Sequence, residues 1–103
     1  MKKYNLTPLA EVISWGDAEV HPMDFNICPA DSANVALKNA GMKIGDIDFF
    51  EFNEAFSVTG LANMKILDLD PATVNVNGGA VALGHPIGMS GARIVLSLLS
   101  VLQ

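Results

Sequence analysis

Apolar and polar positions alternate along this chain in stretches whose spacing predicts three strands and three helices. Leu9, Ala10, Val12, Ile13 and Trp15 form a β-branched and aromatic run bounded by Pro8 and Gly16, which predicts a strand. Asp17 to Pro29 is expected as a loop. Asp31 and Ser32 are good N-cap residues, and Ala33, Val35, Ala36, Leu37 and Ala40 recur at helical spacing up to Gly41, an expected C-terminal stop. Ile47, Phe49, Phe50 and Phe52 suit a buried strand. From Glu54 to about Leu69, the positions Phe56, Leu61, Met64, Ile66 and Leu67 predict a second helix ending before Pro71. Thr73 to Val76 predicts a third short strand.

The densest glycine region, Asn77 to Gly91, holds five of the nine glycines and leads into a helix that runs to the end. Ile94, Val95, Leu96, Leu98, Leu99, Val101 and Leu102 surround that helix on every side, so it is expected to be buried all round. The order β-α-β-α-β-α implies an α/β fold with a mostly parallel sheet and right-handed crossovers. Three strands offer only two faces, so a last helix that needs cover on all sides points to further strands or a second domain.

Composition sharpens this. The 103 residues make one domain at most; half are apolar and 17% are charged, against a usual quarter or so. Part of the surface is therefore expected to be covered. Eleven acidic and six basic residues give a net charge of −5, which argues against nucleic acid or an anionic membrane as partner. Cys28 is the single cysteine, which excludes an internal disulfide and a multi-cysteine metal site and suits a reducing compartment. After Asp70 the only charged side chain is Arg93, so that last third is expected inside. The run Ile94 to Leu102, interrupted by Ser97 and Ser100, falls short of the ~20 residues of a membrane span. Met1, Lys2 and Lys3 are followed by no continuous apolar segment or small-residue cleavage site, so no secretory signal is expected.

Several residues could carry chemistry. Gly79 to Gly84 meets half of a phosphate-loop pattern, but His85 and Pro86 stand where Lys and Ser or Thr are needed. Gly84, Gly88 and Gly91 are spaced four and three apart, whereas the dinucleotide fingerprint needs two and three. What remains is His85 on a glycine-framed turn at the start of a buried helix. The helix dipole there favours a neutral imidazole, able to polarise a carbonyl or take a proton from a thiol; a turn-capping role with a backbone partner is the alternative. Asn53 and Glu54 follow an apolar strand, at the end where open parallel sheets bind ligands. The amide could hold a water or an oxyanion and the carboxylate could orient a neighbour, or both could simply cap the next helix. His21, in a polar loop beside Pro22, and Cys28, between Ile27 and Pro29, read as structural.

Two motifs now carry a resemblance. Asn53-Glu-Ala-Phe56, and Asn77-Gly-Gly-Ala-Val-Ala-Leu-Gly-His-Pro-Ile-Gly-Met-Ser-Gly-Ala-Arg93, make the chain resemble the C-terminal half of a thiolase, of the acetoacetyl-CoA (acetyl-CoA C-acetyltransferase) branch. The match covers most of residues 1–103, read as a partial thiolase C-terminal domain lacking the final strands and a Cys-x-Gly motif. A ketosynthase-type relative also carries a histidine on a glycine-rich turn, but the Asn-Glu-Ala-Phe and Gly-His-Pro segments favour thiolase.

The resemblance implies two similar halves, each a five-stranded mixed sheet with helices, with the last helix packed between the sheets. It implies catalytic roles for His85, which activates a nucleophilic cysteine, and for Asn53, which with His85 and a bound water forms an oxyanion hole for a thioester oxygen. Ala55 and Phe56 would line the substrate pocket and Glu54 would support its neighbours. Coenzyme A thioesters would be substrates, with no cofactor and no metal. The partners would be acyl-CoA or CoA and the remaining thiolase half, in a homo-oligomer when complete, cytoplasmic or mitochondrial.

The resemblance also implies an absence: neither the acyl-accepting cysteine nor the second, proton-shuttling cysteine matches a position here, and Cys28 lies in a different context. The expected activity of a complete member is condensation of two acetyl-CoA to acetoacetyl-CoA, or the reverse thiolysis, through an acyl-cysteine. This chain alone is expected to be inactive. The competing reading is a non-catalytic half-domain used for packing or weak acyl-CoA contact.

Overall fold

The computed structural model describes residues 2–103; Met1, the first residue of the basic start, lies outside them. Four α-helices organise the described residues: α1 (Cys28–Ala40), α2 (Ser57–Leu67), the short α3 (Ala80–Leu83) and α4 (Ser90–Leu102). Short 3-10 helices occupy Lys2–Tyr4, Pro22–Ile27, Ile44–Asp46 and Pro71–Thr73.

Helix α1 starts earlier than the capping residues suggest. The expected loop from Asp17 to Pro29 gives way at Pro22 to a 3-10 turn that runs directly into α1. Pro29 is tolerated there because the first turn of a helix has no use for its missing N–H. The Ala30 N–H, an orphan donor of that first turn, is bonded at 2.8 Å by the Oδ1 of Asn63 on α2. Asn63 is fully buried, and its amide nitrogen donates to the carbonyls of Asn26 at 2.8 Å and Thr59 at 2.7 Å. One side chain thus satisfies the start of α1 and docks α2 against it. At the other end α1 stops at Gly41, as the sequence indicates, in the left-handed conformation.

Helix α2 begins at Ser57 rather than Glu54, because Glu54 is itself left-handed (φ 54°) and Phe56 is extended. Asp68, also left-handed, ends it.

The expected parallel sheet is the main correction. Among the described residues there is no regularly paired strand, only a parallel bridge between Phe50 and Val74. Phe50 N–H donates to the Thr73 carbonyl at 2.9 Å and Asn75 N–H to the Phe50 carbonyl at 2.8 Å. The next rung is not made by backbone: Asn75 turns left-handed (φ 47°), and its side-chain oxygen takes the Phe52 N–H at 2.7 Å. The first run, Leu9 to Trp15, lies on α1 instead of beside residues 47–52. Ser14 Oγ donates to the Ala36 carbonyl at 2.8 Å and Asn39 Nδ2 to the Trp15 carbonyl at 3.1 Å. Gly16 permits this approach, since a Cβ there would come within 2.6 Å of the Ala36 nitrogen. An apolar groove of about 490 Å³ separates the two extended segments, lined by Val12, Ile13, Leu37, Phe50 and Leu98 among others.

The buried core is small: Ala30, Phe52, Leu67 and Val74, flanked by Ile44, Phe50 and Met64. The expectation that the last third is interior holds in part: Val74 and Ala80 are buried, but α4 is covered on one side only. Ser90 is buried and Ile94, Ser97, Leu98 and Val101 are half-buried at helical spacing, whereas Val95, Leu96 and Leu102 are exposed. The radius of gyration, 14.5 Å, exceeds the ~13 Å of a compact chain of this length, in keeping with apolar faces that nothing covers.

Replacing Asn63 with Ala strands the buried Ala30 N–H and removes two further hydrogen bonds. The expected loss is about 2 kcal/mol of stability, measured by denaturant titration.

Candidate active site

The bridge between Phe50 and Val74 sets out the residues that matter, because the chain beyond each partner converges. Past Phe52 come Asn53 and Glu54; past Val74 comes Asn75. Asn75 Nδ2 donates to Glu54 Oε1 at 2.7 Å, and the second oxygen of Glu54 accepts the Val81 N–H at 3.3 Å. The glycine-rich turn is thereby held against the end of the 47–54 segment, and Ala80 N–H reaches the Asn53 carbonyl at 3.3 Å. Gly79 makes this possible: its φ of −98° suits any residue, but a Cβ there would collide with the Glu54 carboxylate and the Asn75 amide. The constraint is space, not conformation.

After α3 the chain passes through Gly84 to His85 and turns at Pro86, whose carbonyl accepts the N–H groups of Met89 at 2.7 Å and Ser90 at 2.9 Å, and enters α4. The His85 ring stands exposed beside the first residue of α4, with Nδ1 2.6 Å from Ser90 Oγ. Asn53 Nδ2 approaches the same ring, 3.3 Å from Nδ1 and 3.5 Å from Nε2. Arg93 then fixes Asn53 from behind, one Nη donating to its carbonyl at 3.3 Å and to its Oδ1 at 3.2 Å.

The other Nη of Arg93 lies 3.5 Å from Glu51 Oε2, and the Glu51 side chain is only 3% exposed. Burial pushes the Glu51 carboxyl above its ordinary range; the Arg93 guanidinium works against that shift and the charge of Glu54 adds to it. Glu51 Oε1 and Arg93 Nε, both buried, find no partner among the described residues.

The structure therefore brings His85 and Asn53 together, with Glu54 bonded to the turn that carries His85. Ala55 and Phe56 are exposed, and the Phe56 ring meets that of Phe25 edge-on with centroids 5.7 Å apart. His21 and Cys28 take local partners: His21 Nδ1 accepts the Met23 N–H at 3.3 Å, and the Cys28 thiol donates to the Ala18 carbonyl at 3.2 Å. Among the described residues, no three His, Cys, Asp or Glu side chains cluster as a metal site, and no helix is long and apolar enough to cross a membrane. Sequence reasoning passed over Asn75, Ser90 and Arg93. A lone charge in an apolar third was the available signal for Arg93, since a buried guanidinium must find partners.

Residues 6–103 match the thiolase C-terminal domain family, and the chain belongs to the thiolases. It is 59% identical over its whole length to an acetyl-CoA acetyltransferase of Saccharomyces cerevisiae, covering 26% of that protein. It is 58% identical over 98% of its length to a mitochondrial acetyl-CoA acetyltransferase of Xenopus tropicalis, covering 24% of it. Among solved structures, the Acat5 thiolase of Ascaris suum in complex with coenzyme A superposes with a TM-score of 0.95 at 51% identity, over 99% of this chain and 27% of that one. The chain spans about a quarter of the length of the curated relatives it matches. Relatives carry both mitochondrial and cytosolic names.

Two outcomes follow from this geometry. Gly79→Ala forces Glu54 away from the turn and is expected to cost about 2 kcal/mol, read from the unfolding midpoint. Glu51 holds its proton more tightly folded than unfolded, so its contribution is complete below the ordinary glutamate range of about 4 and is lost as pH rises. Glu51→Gln should therefore gain on the unsubstituted chain in unfolding midpoint between about pH 4 and pH 7; a constant difference across that range would contradict it.

Proposed function

We propose that this chain supplies the histidine and asparagine of a thiolase of the acetyl-CoA acetyltransferase type, which condenses two acetyl-CoA to acetoacetyl-CoA or runs the reverse thiolysis. The observation that carries the reading is the Asn53 amide nitrogen 3.3 Å from the exposed His85 ring, on an exposed turn where a substrate could reach both. His85 accepts the proton of a cysteine thiol supplied by another part of the protein. The thiolate attacks the thioester carbonyl carbon, the bond from that carbon to the coenzyme A sulfur breaks, coenzyme A leaves as its thiol with the proton returned by His85, and the acetyl group remains on the cysteine. Meanwhile the carbonyl oxygen, gaining charge, is held by the protonated His85 ring and by a water bound to the Asn53 amide. Ala55 and the Phe56 ring provide apolar wall for the acyl group and pantetheine arm, and Glu54 supports the site by pinning the turn.

The fuller fold, with a five-stranded mixed sheet in each of two halves and α4 between them, is supported by the exposed Val95, Leu96 and Leu102 and by the groove between the extended segments. The partners are then acyl-CoA or CoA, the remaining thiolase half and, in the complete protein, further copies, in cytoplasm or mitochondrion. The exposed stripe of α4 favours a second reading, a non-catalytic half-domain that contributes packing or weak acyl-CoA contact. Size-exclusion chromatography with an acyl-CoA titration tests it, because a stable monodisperse monomer would contradict the need for a partner.

The catalytic reading is tested by exchanging this chain for the matching 104 residues of the yeast acetyl-CoA acetyltransferase. The hybrid should transfer acetyl groups. In it, His85→Ala should lower kcat about a thousandfold and Asn53→Ala about a hundredfold. Near-normal turnover by the His85 variant would sink the assignment.

A further inference from the structure

The carboxamide of Asn53 has two ends of nearly the same shape, one a donor and one an acceptor, so a neighbouring group has to decide which of them faces His85. That group is Arg93. Its guanidinium carries donors and no acceptor, and one Nη lies 3.2 Å from Asn53 Oδ1 and 3.3 Å from the Asn53 carbonyl oxygen. The amide oxygen is therefore turned to Arg93 and Nδ2 to the histidine ring, 3.3 Å from Nδ1. With both oxygens of the residue on a single nitrogen, the backbone and side chain of Asn53 are held as one unit.

Arg93 is itself aimed by Glu51. Glu51 and Asn53 stand two residues apart on the 47–54 segment, whose side chains alternate, so both project away from Phe52 in the core. The second Nη of Arg93 lies 3.5 Å from Glu51 Oε2, and the two side chains are 13% and 3% exposed, so bulk water has little access to replace either contact. A planar guanidinium can bridge two acceptors along one segment in this way, whereas the single nitrogen of an ammonium cannot hold both in the same geometry. A buried ion pair is often no more stabilising than apolar residues of similar volume, so what this pair adds is direction rather than net stability.

We propose that Arg93 is a positioning residue: a two-ended clamp, seated on Glu51, that holds the Asn53 amide with its N–H groups towards His85. This rests on the reading of Asn53 as the residue whose amide binds the water at the thioester oxygen, and adds what gives that amide its direction. Without the clamp the amide is free to turn over, and an oxygen lone pair would then face the side on which negative charge develops in the transition state.

The test uses the hybrid acetyl-CoA acetyltransferase described above. Glu51→Gln together with Arg93→Met removes the clamp without stranding a buried charge. It should lower kcat and kcat/KM alike by about tenfold, because the amide acts on the transition state rather than on the bound substrate. Arg93→Lys keeps a positive charge beside Glu51 but loses the fork, and should show the same loss. The deciding measurement is a cycle with Asn53→Ala. A residue that acts only through the Asn53 amide loses its effect once that amide is gone, so in the Asn53→Ala background neither change should lower kcat by more than about twofold. A further loss of about tenfold in that background marks a merely structural role and overturns the proposal. So does turnover by Arg93→Lys equal to that of the unsubstituted hybrid, a result that decides the matter even if the double variant does not fold. Normal turnover by Asn53→Ala itself would remove the functional reading of Asn53 and the clamp with it, whereas the two preceding outcomes overturn the clamp alone.

Discussion

The carboxamide of Asn75 occupies the place where the next rung of a parallel ladder would lie, and the arrangement of the site follows from it. Its oxygen takes the Phe52 N–H that a neighbouring strand would otherwise satisfy, and its nitrogen holds Glu54. A short amide can bond in both directions within the width of one strand spacing, which a backbone group continuing straight ahead cannot. Pairing therefore ends at Val74, the chain swings into the glycine turn, and Glu54 catches that turn at Val81. Asn53 is left facing His85 across a sequence separation of 32 residues.

Helices were largely legible in the sequence because their signals are local. The stop of α1 at Gly41 and the existence of α2 and α4 are written in spacing and in caps. Their starts were less so: α1 begins at Cys28 because Asn63, 33 residues from Ala30, caps it, and no local pattern announces such a partner. The strands failed for a related reason. Leu9 to Trp15 has every β-like property, but a strand is defined by a neighbour, and within this chain the segment finds α1 as its neighbour instead. The apolar residues around α4 read as a demand for cover on every side; the fold covers one side and leaves Val95, Leu96 and Leu102 exposed.

At the candidate site, residue types able to carry chemistry are recognisable in the sequence, while those that hold them in place are not. His85, Asn53 and Glu54 stood out through the motifs around them. Ser90 and Arg93 sat in the same motif without an assigned role, since a hydroxyl or guanidinium acquires meaning only from the direction of its hydrogen bonds, and direction exists in three dimensions alone. Asn75 lay outside both motifs, in what looked like a strand, and its left-handed backbone is the kind of local exception that tertiary contacts enforce.

Arg93 belongs at once to the interior and to the site, with one Nη beside the nearly buried Glu51 and the other on Asn53. Robustness and the geometry of the candidate site are therefore not separate properties that selection or an engineer can adjust independently. A substitution that loosens α4 against the 47–54 segment also loosens the amide that faces His85. One that removes the internal ion pair for the sake of a tighter core takes the orientation of Asn53 with it. Sequence drift in this region has to move Glu51, Asn53 and Arg93 as a group, and changes at these positions are expected to be strongly non-additive.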